Sequence, residues 1–451
     1  MKRIVIVGAG PAGIAAAAAL APSTAEITLI DEASRPGGQI HRTPAPGLAL
    51  DMRRLLADGH TAYEKFHATI ASLHNRIQFQ PETLAWNIHG GEAHLATATS
   101  LASIRYDTLI LATGATDRVM PVPGWTLPGV FTLGAAQVLL KSQGCLLGDN
   151  VVFCGSSPLL YLAALQYLRI GGRVAAVIDS TRFTAKLRAL PGLAAAPGLL
   201  AKGISYMTHL QRAGVPIIHG ARVASINGRD RVETLTYRTV GGVHHHIVCD
   251  AVAYGHGLRS ETQLAELAGS TLRYDPVFRQ YVPAIDASGR AGYAIYLAGD
   301  GCRIGGAEAA VLSGSIVGQA VATDLDLKTP GTTAPRKLRR LYRFQRAMAT
   351  AFAWPQEAAG TLADDLIVCR CENVTAGDIR QSLHLPIGVT ELNRVKAATR
   401  CGMGRCQGRV CGLAAAELTA SIRGRANAPL DRLRMQPPVK PLPIALAGSE
   451  T

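Results

Sequence analysis

Five of the nine cysteines lie close together in the last fifth of the chain, and their spacing is the first sign of chemistry. Cys369 and Cys371 form one close pair, and Cys406 and Cys411 form a second pair after a short intervening segment. Two close pairs of thiols on a small folded segment make a four-thiolate site, which suits zinc or an iron-sulfur cluster. Cys401 is a fifth thiol in the same region.

The residues around the second pair indicate which thiols are ligands. The stretch from Gly408 onward, GRVCGLAAAELTASI, predicts a helix with Cys411 in its first turn and Cys406 just before it. Amide donors and the helix dipole stabilise thiolate charge at such a position. We therefore predict that the metal ligands are Cys369, Cys371, Cys406 and Cys411, and that Cys401 is a bystander.

A second chemical motif opens the chain, where apolar residues 4–7 run into a glycine-rich turn. Gly8 permits the tight turn, Gly10 lets the backbone approach a pyrophosphate, and Gly13 lets the next helix pack on the strand. The N-terminus of that helix offers unpaired N–H groups to phosphate. A second apolar strand ends at Asp31, which is placed to accept from a ribose hydroxyl. The predicted dinucleotide contacts are Gly8, Gly10, Pro11, Ala12, Gly13, Asp31 and Glu32.

Three later segments, at residues 37–39, 112–114 and 299–306, combine small residues with polar groups that can contact a flat ring system. The Gly-Gly pair at 37–38 lets backbone pass close to a ring, and Gln39 offers its edge a donor and an acceptor. These segments resemble those that line the isoalloxazine in thioredoxin-reductase-like flavoproteins, which favours FAD over NAD at this site. The resemblance implies that Asp300 bonds the ribityl or phosphate region and that a helix from Gly306 stabilises the reduced flavin. The predicted contacts are Gly38, Gln39, Ala112, Thr113, Gly114, Gly299, Asp300 and Gly306.

A second strand-turn-helix unit begins at Val151 and resembles the NAD(P)H domain of two-dinucleotide-domain flavoproteins. Ser157 stands where the second glycine of the turn belongs, and its side chain would crowd a pyrophosphate. We therefore expect this domain to hold another adenine nucleotide or to be a structural relic. Disulfide reductase chemistry is improbable because the domain has no CxxC pair. His256, in a Gly-rich turn, is interpreted as structural rather than catalytic.

The strings VCRCENVTAGDI and TRCGMGRCQGRVC resemble the bacterioferritin-associated-ferredoxin-like (BFD-like) [2Fe-2S] domain. Joined to this kind of flavoprotein, they resemble the alpha subunits of FAD-dependent amine dehydrogenase complexes. That group includes the A-type subunits of opine oxidases, the B component of hydrogen cyanide synthase, and the alpha subunits of D-hydroxyproline and proline dehydrogenases. In this family the position of Cys401 is usually a small residue other than cysteine. A one-electron carrier beside a flavin has an evident use, which favours iron-sulfur over zinc.

The resemblance also implies partners and further cofactors. It implies a beta subunit of the D-amino-acid or sarcosine-oxidase type with its own FAD, and a small ferredoxin-like gamma subunit in some complexes. It further implies FMN at the interface between subunits and ATP, or another adenine nucleotide, in the second nucleotide domain.

Composition narrows the class of protein. Of the 451 residues 48% are hydrophobic and 17% are charged, so a sizeable core is expected. The formal charge is +14, but the basic residues are scattered and no nucleic-acid module is present. We expect neither a signal peptide nor a membrane-spanning segment, and a cytoplasmic location. The basic amphipathic helix expected over 336–352 is interpreted as packing on the flavoprotein body with a solvated basic face. The alternative is docking onto a partner subunit or peripheral contact with the inner membrane.

The predicted fold class is α/β, a two-dinucleotide-binding-domain flavoprotein of the Rossmann-like, glutathione/thioredoxin-reductase type, with a small helical BFD-like [2Fe-2S] domain. The predicted domains are an FAD-binding domain of residues 1–120 and 275–328, an NAD(P)-like domain of residues 121–274, a linker and amphipathic helix over 329–365, the BFD-like domain over 366–425 and a Pro-rich tail over 426–451.

These motifs predict an oxidoreductase subunit that passes electrons from a partner enzyme through flavin and [2Fe-2S] to a downstream acceptor. No group in the sequence qualifies as a substrate base, so catalytic residues stay unassigned. The first alternative is a self-contained NAD(P)H-dependent reductase, for which an intact second glycine turn would be the mark. The second is a non-enzymatic iron-sulfur module with a vestigial flavoprotein body.

Overall fold

A computed structural model describes residues 1–331, 334–385 and 390–448. Residues 332–333 of the predicted linker, 386–389 of the predicted BFD-like domain and 449–451 of the predicted tail therefore lie outside the described residues.

Among the described residues, the buried parallel strands follow the apolar runs of the sequence, whereas short strands such as Ala115–Asp117 and His244–Val248 do not. In chain order they are β1 (Arg3–Val7), β2 (Glu26–Ile30), β3 (Gln78–Gln80), β4 (Leu84–His89), β5 (Glu92–Ala96), β6 (Leu101–Arg105), β7 (Thr108–Leu111), β8 (Ala115–Asp117), β9 (Val130–Thr132), β10 (Val151–Gly155), β11 (Val174–Asp179), β12 (Ile217–His219), β13 (Arg222–Asn227), β14 (Thr234–Arg238), β15 (His244–Val248), β16 (Ala251–Gly255), β17 (Leu258–Ser260), β18 (Leu272–Asp275), β19 (Gln280–Pro283), β20 (Arg290–Gly292), β21 (Ile295–Leu297), β22 (Ile367–Cys369) and β23 (Val374–Thr375).

The helices of the described residues connect these strands and dominate the last third of the chain. In chain order they are α1 (Pro11–Leu20), α2 (Met52–Leu56), α3 (His60–Leu73), α4 (Leu133–Gln143), α5 (Leu159–Arg169), α6 (Phe183–Leu193), α7 (Pro197–Arg212), α8 (Gln263–Leu267), α9 (Ala307–Asp324), α10 (Pro335–Ala351), α11 (Ala376–Leu383), α12 (Leu392–Thr399) and α13 (Gly412–Ile422).

The first sheet takes strands from two distant parts of the chain, in the order β20-β21-β7-β1-β2-β3. β1 lies parallel to both β2 and β7, with Ile4 opposite Ile27 and Thr108. β1, β2, β7 and β21 are buried almost throughout, as expected for parallel strands covered on both faces. Helix α9 packs on α1 through small residues, since a Cβ added at Gly314 would lie 2.0 Å from the Ala12 carbonyl oxygen. Because β1, β2 and β7 are parallel, their carboxyl ends lie along the same edge of the sheet.

The second sheet is parallel, in the order β12-β11-β10-β16-β9. Its first turn copies the packing of the chain's first turn. A Cβ added at Gly155 would lie 1.9 Å from the Gly255 carbonyl oxygen, and one added at Gly8 would lie 2.3 Å from that of Ala112. A short antiparallel ribbon of β8 and β17 joins the two sheets.

The C-terminal part packs a small helical module onto this body. β22 pairs with β23, and α11 begins with a capping box between Thr375 and Asp378. Arg279 of the body donates to Glu417 on α13 at 2.6 and 2.7 Å, and Glu417 is only 2% exposed. The tail then returns along the body, where the Val439 amide donates to the Trp86 carbonyl oxygen. Within residues 1–331, 334–385 and 390–448, no helix is long and apolar enough to cross a bilayer.

Candidate redox site

The glycine turn after β1 has the geometry that a pyrophosphate needs. Gly8 has φ +107°, a value that L side chains rarely adopt. A Cβ added at Gly13 would lie 1.8 Å from the Gly8 carbonyl oxygen, so only glycine lets α1 begin this close to β1. In the described residues α1 has Pro11 at its first position, no side-chain cap and no acidic residue in its first turn. Its N-terminal amides are therefore free of side-chain competition for a phosphate.

The two acidic residues after β2 have different surroundings. Asp31 accepts from the Ala9 amide at 2.6 Å and from the Ala33 amide at 2.8 Å, which leaves the remaining carboxylate lone pairs for a ribose. Burial raises the pKa of Asp31, and those amides partly offset the effect. Glu32 instead forms an ion pair with Lys440 of the tail. Asp31 thus borders the turn, while Glu32 holds the tail.

The segment around Gly38 closes over the turn. Gly37 and Gly38 have positive φ, and a Cβ added at Gly38 would lie 2.9 Å from the Gly10 Cα. Behind the segment lies Lys141 of α4, which is 1% exposed, with its Nζ 3.5 Å from the Gln39 carbonyl oxygen. Burial lowers the pKa of Lys141 to about 8. Sequence reasoning missed this lysine because no local motif marks it.

The small residues after β7 contact the turn that precedes α9. The Thr113 hydroxyl donates to the Glu261 carbonyl oxygen at 2.6 Å, and Gly114 has φ +74°. A Cβ added at Gly301 would lie 2.6 Å from the Thr113 Oγ1, so these two turns touch. Asp300 accepts from the amides of Gly305 and Gly306 at 2.8 and 3.0 Å. The segments predicted to line a cofactor therefore converge on the carboxyl edge of the first sheet.

The five clustered cysteines form one group. The Sγ atoms of Cys369, Cys401 and Cys411 lie within 4.8 Å of one another. Cys406 exchanges thiol hydrogen bonds with Cys411 and with Cys371. Two thiolates on one tetrahedral metal stand roughly 3.8 Å apart, for metal–sulfur bonds of about 2.3 Å, so a metal fits here after small shifts. The four predicted ligands are close to one another, and Cys401 lies among them.

Hydrogen-bond donors surround these sulfur atoms. Thiol hydrogen bonds from Cys401 and Cys411, aided by the amides of Gly402 and Glu372, lower the pKa of Cys369 to about 2. The pKa of Cys406 is also lowered, chiefly by the Cys411 thiol. The amides of Val410 and Gly408 add to this effect. The backbone amides in these two sets would also stabilise thiolate ligands and an anionic cluster, whereas a thiol that binds metal loses the proton it donates here.

Helix α13 begins later than its sequence predicts. It starts at Gly412, so Cys411 is the N-cap residue rather than a member of the first turn. Gly408 has φ +76° and Gln407 has φ +50°, and these left-handed residues keep the preceding loop out of the helix. Cys411 still lies at the positive end of the α13 dipole.

A direct polar contact joins the two sites. Arg409, between Cys406 and Cys411, donates from Nε to the Glu261 carboxylate at 2.8 Å. The Glu261 amide donates to the Gly114 carbonyl oxygen at 3.0 Å. Next to this pair, Gln263 donates to the Gln407 carbonyl oxygen at 3.0 Å. The turn predicted to line the flavin and the cysteine loop therefore share one short segment. Sequence reasoning missed Glu261, since nothing local distinguishes it from a surface acid.

In the second nucleotide domain, the polar groups that could contact a nucleotide are engaged in hydrogen bonds and ion pairs within the chain itself. The Ser157 hydroxyl accepts from the Leu159 amide at the start of α5, at 3.2 Å. Asp179, at the end of β11, is fully buried and accepts from Tyr161, Thr181 and Lys186. Its carboxylate is therefore committed where a dinucleotide ribose would need it.

His256 lies beside this turn in a closed environment. Its ring nitrogens lie 2.8 Å from the Ser156 Oγ and 2.8 Å from the Tyr254 hydroxyl, and the residue is 5% exposed. Burial, followed by the nearby Arg118, lowers its pKa to about 3. This is the setting of a satisfied structural histidine, in agreement with the interpretation from sequence.

Two family models match the chain. Residues 2–314 match the pyridine nucleotide-disulphide oxidoreductase family, and residues 367–421 match the BFD-like [2Fe-2S] binding domain. The residues present fit both groups, with uncapped helix amides and close-packed glycines at one site and five free thiols linked in one hydrogen-bonded group at the other.

Relatives of known name match over nearly the whole chain. The chain is 34% identical to the A-type subunit of opine oxidase from Rhizobium meliloti, covering 98% of this chain and 86% of the relative. It is 32% identical to the HcnB subunit of hydrogen cyanide synthase from Pseudomonas aeruginosa, covering 98% and 97%. The structure is similar to that of L-proline dehydrogenase from P. horikoshii, with TM-score 0.69, 21% identity and coverage of 99% and 80%.

Proposed function

The chain belongs to the pyridine nucleotide-disulphide oxidoreductase family and to its branch with the A-type opine oxidase subunits and HcnB, and from this premise we propose that it is the electron-relay subunit of an amine or amino-acid dehydrogenase. The predicted resemblance and fold class are confirmed, and the chain is an oxidoreductase subunit with flavin and [2Fe-2S] domains.

One observation carries the proposal, namely the contact that Glu261 makes between the turn predicted to line the flavin and the cysteine loop. Glu261 is bonded through its backbone to Thr113 and Gly114 and through its side chain to Arg409. A flavin exchanges electrons singly or in pairs, and an iron-sulfur cluster carries one at a time. A flavin and a cluster on either side of such a short segment suit a relay. The chain's own residues hold these groups and keep the two modules in register.

The proposed assignment follows the predicted domains. Residues 1–120 and 275–328 hold FAD, and residues 366–425 hold the cluster through the four predicted cysteines. Residues 121–274 form a second nucleotide-like domain whose turn and ribose acid are occupied by the chain's own groups. This occupation supports electron entry from a partner protein rather than from NAD(P)H. Residues 329–365 and the tail join the modules.

The finer features of the proposal concern partners and further cofactors. A beta subunit of the D-amino-acid or sarcosine-oxidase type removes hydride from an opine, hydroxyproline, proline or glycine substrate. We further propose that FMN binds at the interface between the alpha and beta subunits. The second nucleotide domain either holds an adenine nucleotide such as ATP, in a mode that does not use Asp179 for the ribose, or is a structural relic. In some complexes a small ferredoxin-like gamma subunit is also present. The relatives' names, which describe subunits, support a heteromeric complex.

Anaerobic purification tests the proposal. The chain is prepared alone and with the product of any neighbouring oxidase-like reading frame, and FAD, FMN, ATP, iron and acid-labile sulfide are measured in both. We expect FAD, iron and sulfide in the chain alone, and amine-dependent bleaching of its flavin only with the partner. Iron-free protein, or amine turnover by the chain alone, would refute the relay. Rapid bleaching of the isolated flavin by NADH would establish the self-contained reductase instead.

A further inference from the structure

The cysteine site contains one thiol more than a four-thiolate cluster needs. Cys369, Cys401 and Cys411 are 1%, 1% and 2% exposed, and their Sγ atoms lie within 4.8 Å of one another. Cys406 links this trio to Cys371 through thiol hydrogen bonds. The five sulfur atoms therefore form one continuous group with Cys401 at the buried end and Cys371 at the exposed end.

The backbone directs the Cys401 thiol into the group. Arg400 and Gly402, on either side of it, have φ +66° and +89°, and the Cys401 amide donates to the Thr399 hydroxyl at 3.2 Å. Leu433 of the tail packs over this loop, since a Cβ added at Gly402 would lie 2.6 Å from its Cδ1. Cys401 is thus held in place by surrounding structure rather than lying loosely beside the cluster site.

Cys371 is held from the opposite side. A Cβ added at Gly404 would lie 2.3 Å from the Cys371 Cβ, so the loop that follows Cys401 touches Cys371. The Cys371 side chain is open to solvent, where alkylating agents and oxidants reach it. The exposed ligand position is therefore the one most easily lost.

We propose that Cys401 is a reserve ligand, so that the site holds its cluster through Cys369, Cys406 and Cys411 together with either Cys371 or Cys401. The inference rests on the proposed cluster and adds an exchange of the fourth ligand. In the exchange the bond from iron to the Cys371 sulfur breaks, and a bond from the same iron to the Cys401 sulfur forms. The proton leaves the Cys401 thiol and is taken up by the Cys371 sulfur, and the oxidation states of iron and sulfur stay unchanged.

Alanine variants of the full chain, purified without oxygen, test the exchange. The set is C371A, C401A, the double variant C371A/C401A, and C406A as the control that removes a ligand common to both sets. Alanine is used because a serine oxygen can bind iron. Iron and acid-labile sulfide per chain are measured, with the electron paramagnetic resonance spectrum of the reduced protein.

We expect C371A and C401A each to keep an iron content within about twofold of the wild type. The iron content of C406A and of the double variant should fall by about tenfold or more. The spectrum of C371A should change, because its fourth ligand comes from a different part of the loop. Iron loss in C371A as severe as in C406A would overturn the exchange while leaving the relay intact. Iron-free wild-type protein would overturn both.

Alkylation of the wild-type holoprotein gives a second measurement that needs no variant. Iodoacetamide should label Cys371, identified by peptide mass spectrometry, while iron is retained within about twofold and the spectrum shifts toward that of C371A. Labelling of the exposed Cys145 shows that the reagent is active. Release of iron in step with labelling of Cys371 would reject Cys401 as its replacement.

Discussion

The guanidinium of Arg409 forms a bidentate ion pair with the carboxylate of Glu261, 148 positions away in the sequence. Nε lies 2.8 Å from Oε2, and Nη2 lies 3.3 Å from Oε1. Both side chains are only 12–13% exposed. Arg409 also donates to the Cys406 and Val439 carbonyl oxygens. Arg409 therefore connects the turn predicted to line the flavin, which Glu261 contacts through its backbone, with the cysteine loop and the tail.

Opposite charge changes in this ion pair should move the potential of the proposed cluster in opposite directions. R409M removes a positive charge and should lower the midpoint potential, while E261Q removes a negative charge and should raise it. Each shift should be on the order of 50 mV, because the pair is shielded from solvent. A redox titration followed by electron paramagnetic resonance measures both. R405M, at an exposed position, is the control and should shift the potential less. Shifts of equal sign in R409M and E261Q would contradict the electrostatic explanation.

The contact between α1 and β1 predicts a sharp difference between two glycines. In G13A the new Cβ would stand 1.8 Å from the Gly8 carbonyl oxygen, so the turn must open. We expect a loss of about 3 kcal/mol or more in unfolding free energy, together with loss of bound FAD. G203A, in α7, is the matched control, because a Cβ there meets nothing within 4 Å. It should be neutral or stabilise by up to about 1 kcal/mol. Denaturant unfolding and flavin content measure both, and FAD retention in G13A would contradict the packing argument.

The buried ion pair between Arg279 and Glu417 anchors the cysteine module to the body. E417Q removes the charge that balances a largely buried guanidinium, with side-chain exposures of 14% and 1% in the pair. We expect a loss of about 3–5 kcal/mol in unfolding free energy. The exposed pair between Arg222 and Glu357 provides the control, and E357Q should cost under about 1 kcal/mol. Equal effects of the two variants would show that burial does not set the strength of this anchor.

The burial of His256 predicts a specific dependence of stability on pH. Burial holds its pKa at about 3 in the folded protein, whereas the unfolded value is about 6.5. The unfolded chain therefore binds the proton first as the pH falls. The contribution of the neutral, buried His256 side chain to the free energy of unfolding is fully present above pH ~6.5. It is lost progressively toward pH ~3, and the loss is about 2 kcal/mol at pH 5.

Denaturant unfolding of wild type and H256Q at pH 7.5 and 5 isolates this effect. The wild type should lose about 2 kcal/mol more than H256Q between these two pH values, because glutamine does not titrate. Identical losses in both proteins would show that His256 titrates normally.

Local sequence determined the parts of the protein whose chemistry depends on neighbouring residues. The turn from Gly8 to Gly13 was recognisable because tight backbone geometry admits few residue types. The pairing of Cys369 with Cys371 and of Cys406 with Cys411 was recognisable because thiols at short spacing share one site. The α/β class followed from apolar strands alternating with helical segments, and the comparisons confirm it.

Only the tertiary structure decided which distant residues meet. It brings Glu261 into contact with Arg409 and places the Cys401 side chain among the other clustered thiols. It also forms the ion pair between Lys440 of the tail and Glu32. The structure also shows that α13 begins only at Gly412, because Gly408 adopts a left-handed backbone conformation that helix propensity does not predict. Periodicity and spacing report only local backbone preferences. Contacts between distant segments depend on how whole sheets and helices pack, and that packing is a property of the complete chain.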